Sequence, residues 1–568
     1  MSPADYFLSD TPSGWKTITR RNGREVRLHS SYDPMIEAER AVSSFDKKRA
    51  TILLVSGAGL GYHVRLLAQK YPGCRIIVIE ESPEVIRLAR THYPENFEDV
   101  LVACSIQEVP AALESLEMGS FRGFAFFTHR PSYSLAPAFY DAMIRDITRF
   151  LSSKLSDLLT RFEFEERWVE NILSNLHRVF TAPTVQGLFG RFRGCPGIIV
   201  SAGPSLRKNA SLLEGMKDRA LVVAVDTALK VLLRRGVTPH MVITLDAQKH
   251  SLRHFLGSMN SGAALVADLV SFPRIADLYP GRVFVSTTAK YFSGPSGETC
   301  REPTPMMDWI ERYIEPVGDI QSGGSVATSA FDLLLNLGCS PIILVGQDLA
   351  YTGREIHASG TYHNDGWLPR TSRFQNLDSI NQGVVRKRRI KRVEAYGGNG
   401  TVIADYVFDL YRGWFEDSAL KVNFPVINAT EGGARIRNTR EQDLRSLAES
   451  MKPLYPAPGD ILRAPVPTGS RTRERIVSAL DEAIGRVKET AAQASGPEGS
   501  EGAIALVEDD FIRPLYNPFL RKTHAYLARH PDMDPAKAAA MLSADIAQAS
   551  RRLAVMLERC RARLAELS

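Results

Sequence analysis

Cysteine is scarce: six in 568 residues, at Cys74, Cys104, Cys195, Cys300, Cys339 and Cys560, with no C-x-x-C pair among them. That spacing argues against a disulfide framework or a zinc knuckle and fits a reducing compartment. Long apolar runs are missing too. None approaches the ~18 residues of a membrane helix, so no membrane insertion is expected. The opening MSPADYFLSDTPSGW has neither a basic stretch nor an apolar one after it, so no secretory leader is read and a cytoplasmic location is expected. Nor does charge of one sign dominate. Lys+Arg 70 against Asp+Glu 64 leaves +6, a weak bias that permits an anionic small ligand and gives no reason to expect nucleic acid. What is present is ordinary globular composition, 44% hydrophobic and 24% charged, which excludes wholesale disorder, collagen and coiled coil. The length suits about three to four domains.

Residues 1–48 are polar and mixed and read as a small β-rich entry segment. From Thr51 the sequence runs strand (TILLVS), glycine turn (Gly57, Gly59, Gly61), helix (Tyr62–Lys70), strand (Arg75–Ile79) and helix (Pro83–Arg90). That is a βαβ unit and implies a parallel sheet. Residues 138–180 have helical spacing, which completes a Rossmann-like domain over 49–180. A second α/β series opens at Gly197, with strands in GIIVS, ALVVAVD, MVITLD, ALVADL, RVFVST and PIILV. It predicts a second doubly wound domain over 181–440. Residues 441–568 read as a helical domain with a linker at Ser495–Gly502. The fold class expected is therefore α/β, two Rossmann-like doubly wound domains plus a C-terminal helical domain.

Open α/β sheets bind ligands beyond the carboxyl ends of their strands. Four turns of the second domain carry unusual residues there. Ser201-Ala202-Gly203-Pro204-Ser205 joins a strand to a helix, and its small residues and helix-start N–H groups suit an anion, or simply a tight turn. A side chain at Gly203 is expected to fill space that phosphates need. No P-loop motif occurs. Asp226 and Asp246 close consecutive strands, so both should reach one rim, to contact ribose, hold a divalent metal or cap a helix. Ser322-Gly323-Gly324-Ser325 precedes a helix as an anion cradle or an N-cap. Gly346-Gln347-Asp348-Leu349-Ala350-Tyr351 leads into a polar loop with His357 and His363. Two histidines and an aspartate suit general acid–base work, and their spacing matches no common zinc pattern, so no metal site is assigned. Glycines at 353, 360 and 366 would let this loop close over a ligand.

Two signals are weaker. Gly57-Ala58-Gly59-Leu60-Gly61, with Glu80 nineteen residues beyond Gly61, imitates a nucleotide-binding fingerprint, but its third glycine comes one position early. It is read as a structural or degenerate Rossmann-like turn. Arg386–Arg392 holds six basic residues in seven, either a solvated face or a contact for an acidic partner or anionic donor.

Taken in order, these blocks resemble a family. From about Gly197 to Arg437 the chain looks like the bacterial motility-associated factor glycosyltransferases, the Maf-type or DUF115 domain. The matching pieces are Ser201–Leu206, Val225-Asp226, Pro239-His240, Asp246, Ser322–Ser325, Gly346–Tyr351 and Ile427-Asn428-Ala429-Thr430-Glu431-Gly432-Gly433-Ala434. Gly57–His63 is similar to the Rossmann-like unit that precedes the family's core. The resemblance implies transfer of a nonulosonic acid, pseudaminic or legionaminic in type, from its CMP-activated form to Ser/Thr of flagellin, an activity needed for flagellum assembly and motility. The core is also similar to bacterial sialyltransferases of GT-A-like fold, whose G-x-G-P-S loop has Ser201 here at its first glycine.

On that resemblance, Ser201, Gly203, Pro204, Ser205, Asp226, Asp246, Ser322, Gly323, Gly324, Ser325 and Gln347 would bind the donor. The two glycine turns would offer N–H groups to its anions. His357, His363 or Asp348 would accept the acceptor hydroxyl's proton, and Tyr351 would assist the leaving phosphate. No cofactor is implied and magnesium is not expected. The expected partners are flagellin and the CMP-sugar, and an oligomer is allowed. Two alternatives stay open: an Mg/ATP-dependent pterin diphosphokinase using Asp226, Asp246 and Asp348, and a non-catalytic flagellin-binding accessory protein.

Overall fold

The computed structural model describes residues 5–22, 24–105, 108, 121–293, 299–302, 304–466, 472–495 and 499–567. The chain forms two compact units. One comprises Met1–Thr160, Phe292–Cys300 and Lys522–Asp534; the other comprises Arg161–Tyr291, Arg301–Arg521 and Pro535–Ser568.

The first unit opens with three antiparallel strands, β1 (Asp5–Asp10), β2 (Lys16–Asn22) and β3 (Arg24–Arg27). The helix Pro34–Ser43 follows, capped by the Asp33 side chain. Then come β4 (Ile52–Ser56), β5 (Arg75–Ile79), β6 (Leu101–Ala103) and β7 (Phe124–Thr128), all parallel in the order β6-β5-β4-β7. Alternate residues of β4 and β5 face opposite layers. Leu53, Val55 and Val78 pack with Val64, Leu67 and Val85, whereas Leu54, Ile77 and Ile79 pack with Tyr140, Met143 and Ile147. Burial on both faces explains why these strands read as continuous apolar runs.

A larger sheet is built from β8 (Gly197–Val200), β9 (Leu221–Val225), β10 (Met241–Thr244), β11 (Ala264–Asp268), β12 (Val283–Ser293), β13 (Thr299–Glu302), β14 (Asp319–Gln321) and β15 (Ile342–Val345). After these the chain forms a separate antiparallel hairpin of β16 (Ile390–Glu394) and β17 (Thr401–Asp405). It then returns to the sheet with β18 (Val426–Asn428) and β19 (Arg440–Glu441). The sheet order is β13-β12-β11-β10-β9-β8-β15-β18-β19, with β14 beside β12. From β8 to β12 successive strands step one way, and β15 then starts the other side. The order therefore reverses between β8 and β15, and ligand crevices form at such a switch point.

The helix Val326–Leu337 starts at a capping box between Ser325 and Thr328 and stops at Gly338 in the left-handed region, as its sequence predicts. The helix after β9 starts at Asp226 itself, and Leu206–Met216 is a short α-helix followed by a 3-10 turn. Near the C-terminus, Thr472–Ala494 and Pro535–Glu566 are long helices. They bury Ile476, Leu480, Ala483 and Val487 against Ile546, Leu553, Leu557 and Leu564, a stripe of three- and four-residue spacing. Residues 496–498 of the expected linker lie outside the described residues.

Both parts of the fold expectation hold: two parallel α/β sheets and a helical C-terminal region.

Candidate active site at the carboxyl edge of the central sheet

Strands β8 and β15 pair in parallel from Gly197–Ile342 to Val200–Val345, so the turns after them emerge side by side. Asp348 sits at their junction, 2% exposed. Its carboxylate accepts the Ser205 amide at 3.1 Å, the Ser205 hydroxyl at 2.7 Å and the Thr352 hydroxyl at 2.6 Å. Burial raises the Asp348 pKa, while these donors pull it back. Ser201 hydrogen-bonds the Gln347 side-chain carbonyl.

A third turn joins them from β18, the next strand over. Thr430 accepts the Gln347 amide at 3.1 Å, and the Ala434 amide donates to the Asp348 carbonyl at 2.7 Å. A Cβ on Gly432 would collide with the Ser205 hydroxyl, and one on Gly433 with the Asp348 backbone. Glu431 accepts the Asn209 side-chain amide at 3.0 Å. Three separate blocks of sequence thus lock into one structure at the switch point.

This corrects two expectations about the glycine turns. The Gly203 amide donates to the Gly346 carbonyl at 2.9 Å and the Ser205 amide to Asp348, so both are engaged within the protein. A Cβ on Gly203 would collide with Asp348 Oδ1 and the Gly346 carbonyl, so close chain packing is what demands glycine there. Pro204 completes this turn and is buried. At the second turn, Thr328 accepts the Gly323 amide at 2.9 Å and Ser322 accepts the Gly324 amide at 3.3 Å. Gly323 and Gly324 face the rings of Trp414 and Tyr411 on the helix Tyr406–Lys421. The N-cap reading of Ser325 is therefore realised, and the turn is held by its own hydroxyls.

Asp226 and Asp246 do share a rim, since β9 and β10 are parallel neighbours. Asp226 is 3% exposed and accepts the Thr227 amide at 2.6 Å and the Thr244 hydroxyl, from the adjacent strand, at 2.8 Å. Asp246 is more open. It accepts the Gln248 amide at 2.8 Å and lies 3.4 Å from His250 Nε2. Asp268 extends the series, closing β11 with the same run of apolar residues ending in an acid. Its buried carboxyl is pushed up to about 6. The pattern ALVAD ends in an acid as ALVVAVD and MVITLD do.

His357 and His363 meet in the structure. Their rings stack with centroids 4.8 Å apart. His254, which the sequence did not single out, lies 5.4 Å from His363 and is 6% exposed, with Nδ1 unpartnered. Burial, together with the neighbouring histidines, holds His357 down to about 3 and His363 to about 4, with Asp226 partly offsetting the latter. Both imidazoles are neutral at pH 7, the proton-accepting form.

The loop that carries them is not a free lid. Ala358 donates to the Ala202 carbonyl at 2.8 Å, and Lys230 and Arg234 clamp Asp365 at 2.7 and 2.9 Å. Short helices at Tyr362–Trp367 and Leu377–Val385 occupy much of it. The Tyr351 hydroxyl donates to Asp405 at 2.5 Å, and Arg388 pairs with the same carboxylate at 3.0 Å. One residue of the basic run therefore reaches this edge. Among the described residues, no group of three or more His, Cys, Asp or Glu has the arrangement of a metal site.

Residues 170–354 match the family model described as 6-hydroxymethylpterin diphosphokinase MptE-like. That span runs from before β8 to just past Tyr351, and the family fits the Maf-type, DUF115 resemblance of the sequence. Two uncharacterized proteins of Treponema pallidum (strain Nichols) are similar. One is 26% identical over 380 residues, spanning 64% of this chain and 64% of the relative. The other is 25% identical over 223 residues, spanning 38% of this chain and 75% of the relative. Among solved structures, that of the MAf glycosyltransferase from Magnetospirillum magneticum AMB-1 aligns with 99% of this chain and 92% of its own, at 15% identity and a TM-score of 0.49.

Proposed function

We propose that this chain is a glycosyltransferase that moves a nonulosonic acid from its CMP-activated donor to serine or threonine of flagellin. One observation carries the reading. The blocks Ser201–Leu206, Gly346–Tyr351 and Ile427–Ala434, far apart in sequence, interlock through Ser205, Asp348 and Gly433 at the switch point of the sheet. A set of motifs that converges where α/β sheets bind ligands is what a shared catalytic site requires.

In this reading the engaged Ser201–Ser205 and Gly346–Asp348 turns form a rigid floor, and the donor lies above it beside Asp226 and the histidines. Displacing CMP from the anomeric carbon leaves a phosphate carrying the bonding pair, and the acceptor hydroxyl must lose its proton. His363, neutral and near Asp226, or His357 stacked on it takes that proton at a ring nitrogen. The bound donor's negative charge then stabilises the imidazolium. Arg388 serves the donor's carboxylate or phosphate once it leaves Asp405. No metal is needed in this scheme.

The test is intact-mass analysis of flagellin incubated with the purified chain and CMP-pseudaminic or CMP-legionaminic acid. A mass gain of one nonulosonic residue supports the proposal, and no gain with either donor overturns it. The family match favours one second reading, diphosphoryl transfer from ATP to a pterin alcohol. Formation of a pterin diphosphate from ATP, abolished by EDTA, would establish that instead.

A further inference from the structure

The first unit has its own switch point, between β4 and β7, and the protein fills it. His29 Nε2 accepts the Leu60 amide at 2.7 Å within the glycine turn. Cβ atoms on Gly57 and Gly59 would collide with Ser132 and with the His29 ring. Glu80, where a nucleotide-binding fold would meet ribose, accepts the Ala58 amide at 2.7 Å. His63 and His129 stack at 4.5 Å over the same turn. This end of the sheet is closed by side chains from within the unit.

The other end is open. At the amino ends of β4 and β7, Thr51 and Ile52 donate to the Gly123 carbonyl, and the Thr51 hydroxyl accepts the Arg122 amide at 3.1 Å. Beside this junction lies a cavity of about 640 Å³. Five cationic side chains line it: Lys47, Lys48 and Arg49 from the loop before β4, Arg122 from the turn before β7, and Arg529. No carboxylate lines it among the described residues. Lys47 is steadied by donating to the Ala50 carbonyl at 2.9 Å and by lying over the Tyr71 ring. Lys48 is set by a left-handed backbone at φ 54° and an amide hydrogen bond to Asp46. Phe121 gives the cavity one aromatic wall.

We infer that this cavity binds a small ligand carrying a pyrophosphate or triphosphate chain. Like charges gathered from the loop before β4 and the turn before β7 repel one another, and a multivalent anion relieves that repulsion. The volume is that of a nucleotide-sized ligand. A single phosphate would use two or three of the cations, whereas a diphosphate or longer chain reaches across the set. The site is independent of the proposed transferase site, which lies in the other unit.

Calorimetry on the full chain with inorganic pyrophosphate, metal-free and with CMP saturating, tests this. Binding is expected to weaken steeply from 50 to 300 mM salt. In K48A/R49A/R122A it should fall by at least about tenfold, because charge-assisted hydrogen bonds to phosphate are lost. These three residues are exposed, and circular dichroism checks that the variant folds. No binding by the native chain at millimolar pyrophosphate overturns the inference, as does equal binding by the triple variant. Binding of an acidic polypeptide at this face with no binding of pyrophosphate would also overturn it.

Discussion

Asp348 accepts both the amide and the hydroxyl of Ser205, a residue 143 positions earlier in the chain. The pair ties the turn after one strand to the turn after its neighbour. It gives Asp348 a structural task that its place in a histidine-bearing segment did not suggest. A carboxylate with its oxygens held by three donors is poorly placed to take a proton from a substrate hydroxyl.

Asp348→Asn separates the two roles. The amide would point N–H groups at donors, leaving buried groups unpaired, at a cost of about 1–3 kcal/mol. We expect a clear fall in melting temperature together with lost transfer. Ser205→Ala removes only one of the hydrogen bonds and should lower the melting temperature less. A D348N protein of native stability with no transfer would instead mark Asp348 as the base. Thermal unfolding measured beside transfer rates decides.

Gly203→Ala is the second test. A Cβ there would overlap Asp348 Oδ1 and the Gly346 carbonyl, the latter being backbone that cannot swing aside. Overpacking of this kind costs roughly 1–3 kcal/mol. The variant should therefore be destabilised whether or not CMP is present. Native stability combined with lost CMP binding would show that the glycine keeps space for the donor.

The sheets and the C-terminal helices were legible because burial on both faces writes apolar runs and burial on one face writes a three- and four-residue stripe. The strand ends were legible for the same reason, and Asp226, Asp246, Ser201–Ser205 and Gly346–Asp348 fell where apolar runs stop. What sequence could not give was how the turns spend their hydrogen bonds. Whether Ser205 offers its amide to a ligand or to Asp348 depends on a residue 143 positions away. His254 was hidden similarly. It lies in a short helix with nothing unusual around it, and only the fold brings it to His363. The occlusion of Gly57–Gly61 by His29 was equally out of reach, since His29 comes from the entry segment before the sheet.

The histidines predict a pH profile. A base must be neutral to work, and burial lowers His363 to about 4 and His357 to about 3. Depressing a pKa moves the loss of the neutral form to lower pH. The acid limb of kcat/KM, which reports the free enzyme, should therefore lie below pH 5 rather than near 6.5. His363→Ala should lower kcat by about 10²–10⁴-fold if His363 is the base, with CMP affinity retained. An acid limb near 6.5, or full turnover in the H357A/H363A double variant, would place the base elsewhere.

The first unit should lose stability on acidification. His29, His63 and His129 are 4%, 1% and 9% exposed, and burial lowers the first two to about 3 and about 4, with His129 also well below its usual value. In the unfolded chain each would take a proton near 6.5, so between about pH 6.5 and 4 the unfolded state binds more protons. Stability therefore rises with pH through that window and is lost as pH falls, by about 1.4 kcal/mol per pH unit for each histidine. Hydrogen exchange of the full chain, corrected for the intrinsic rate, reads this directly. Protection in Ile52–Ser56 and Arg75–Ile79 should fall between pH 6.5 and 5. His63→Gln removes one of the three protons and should reduce the slope by about a third. Protection in β4 and β5 that stays constant between pH 6.5 and 5 would show that the three buried imidazoles do not govern the acid stability of this unit.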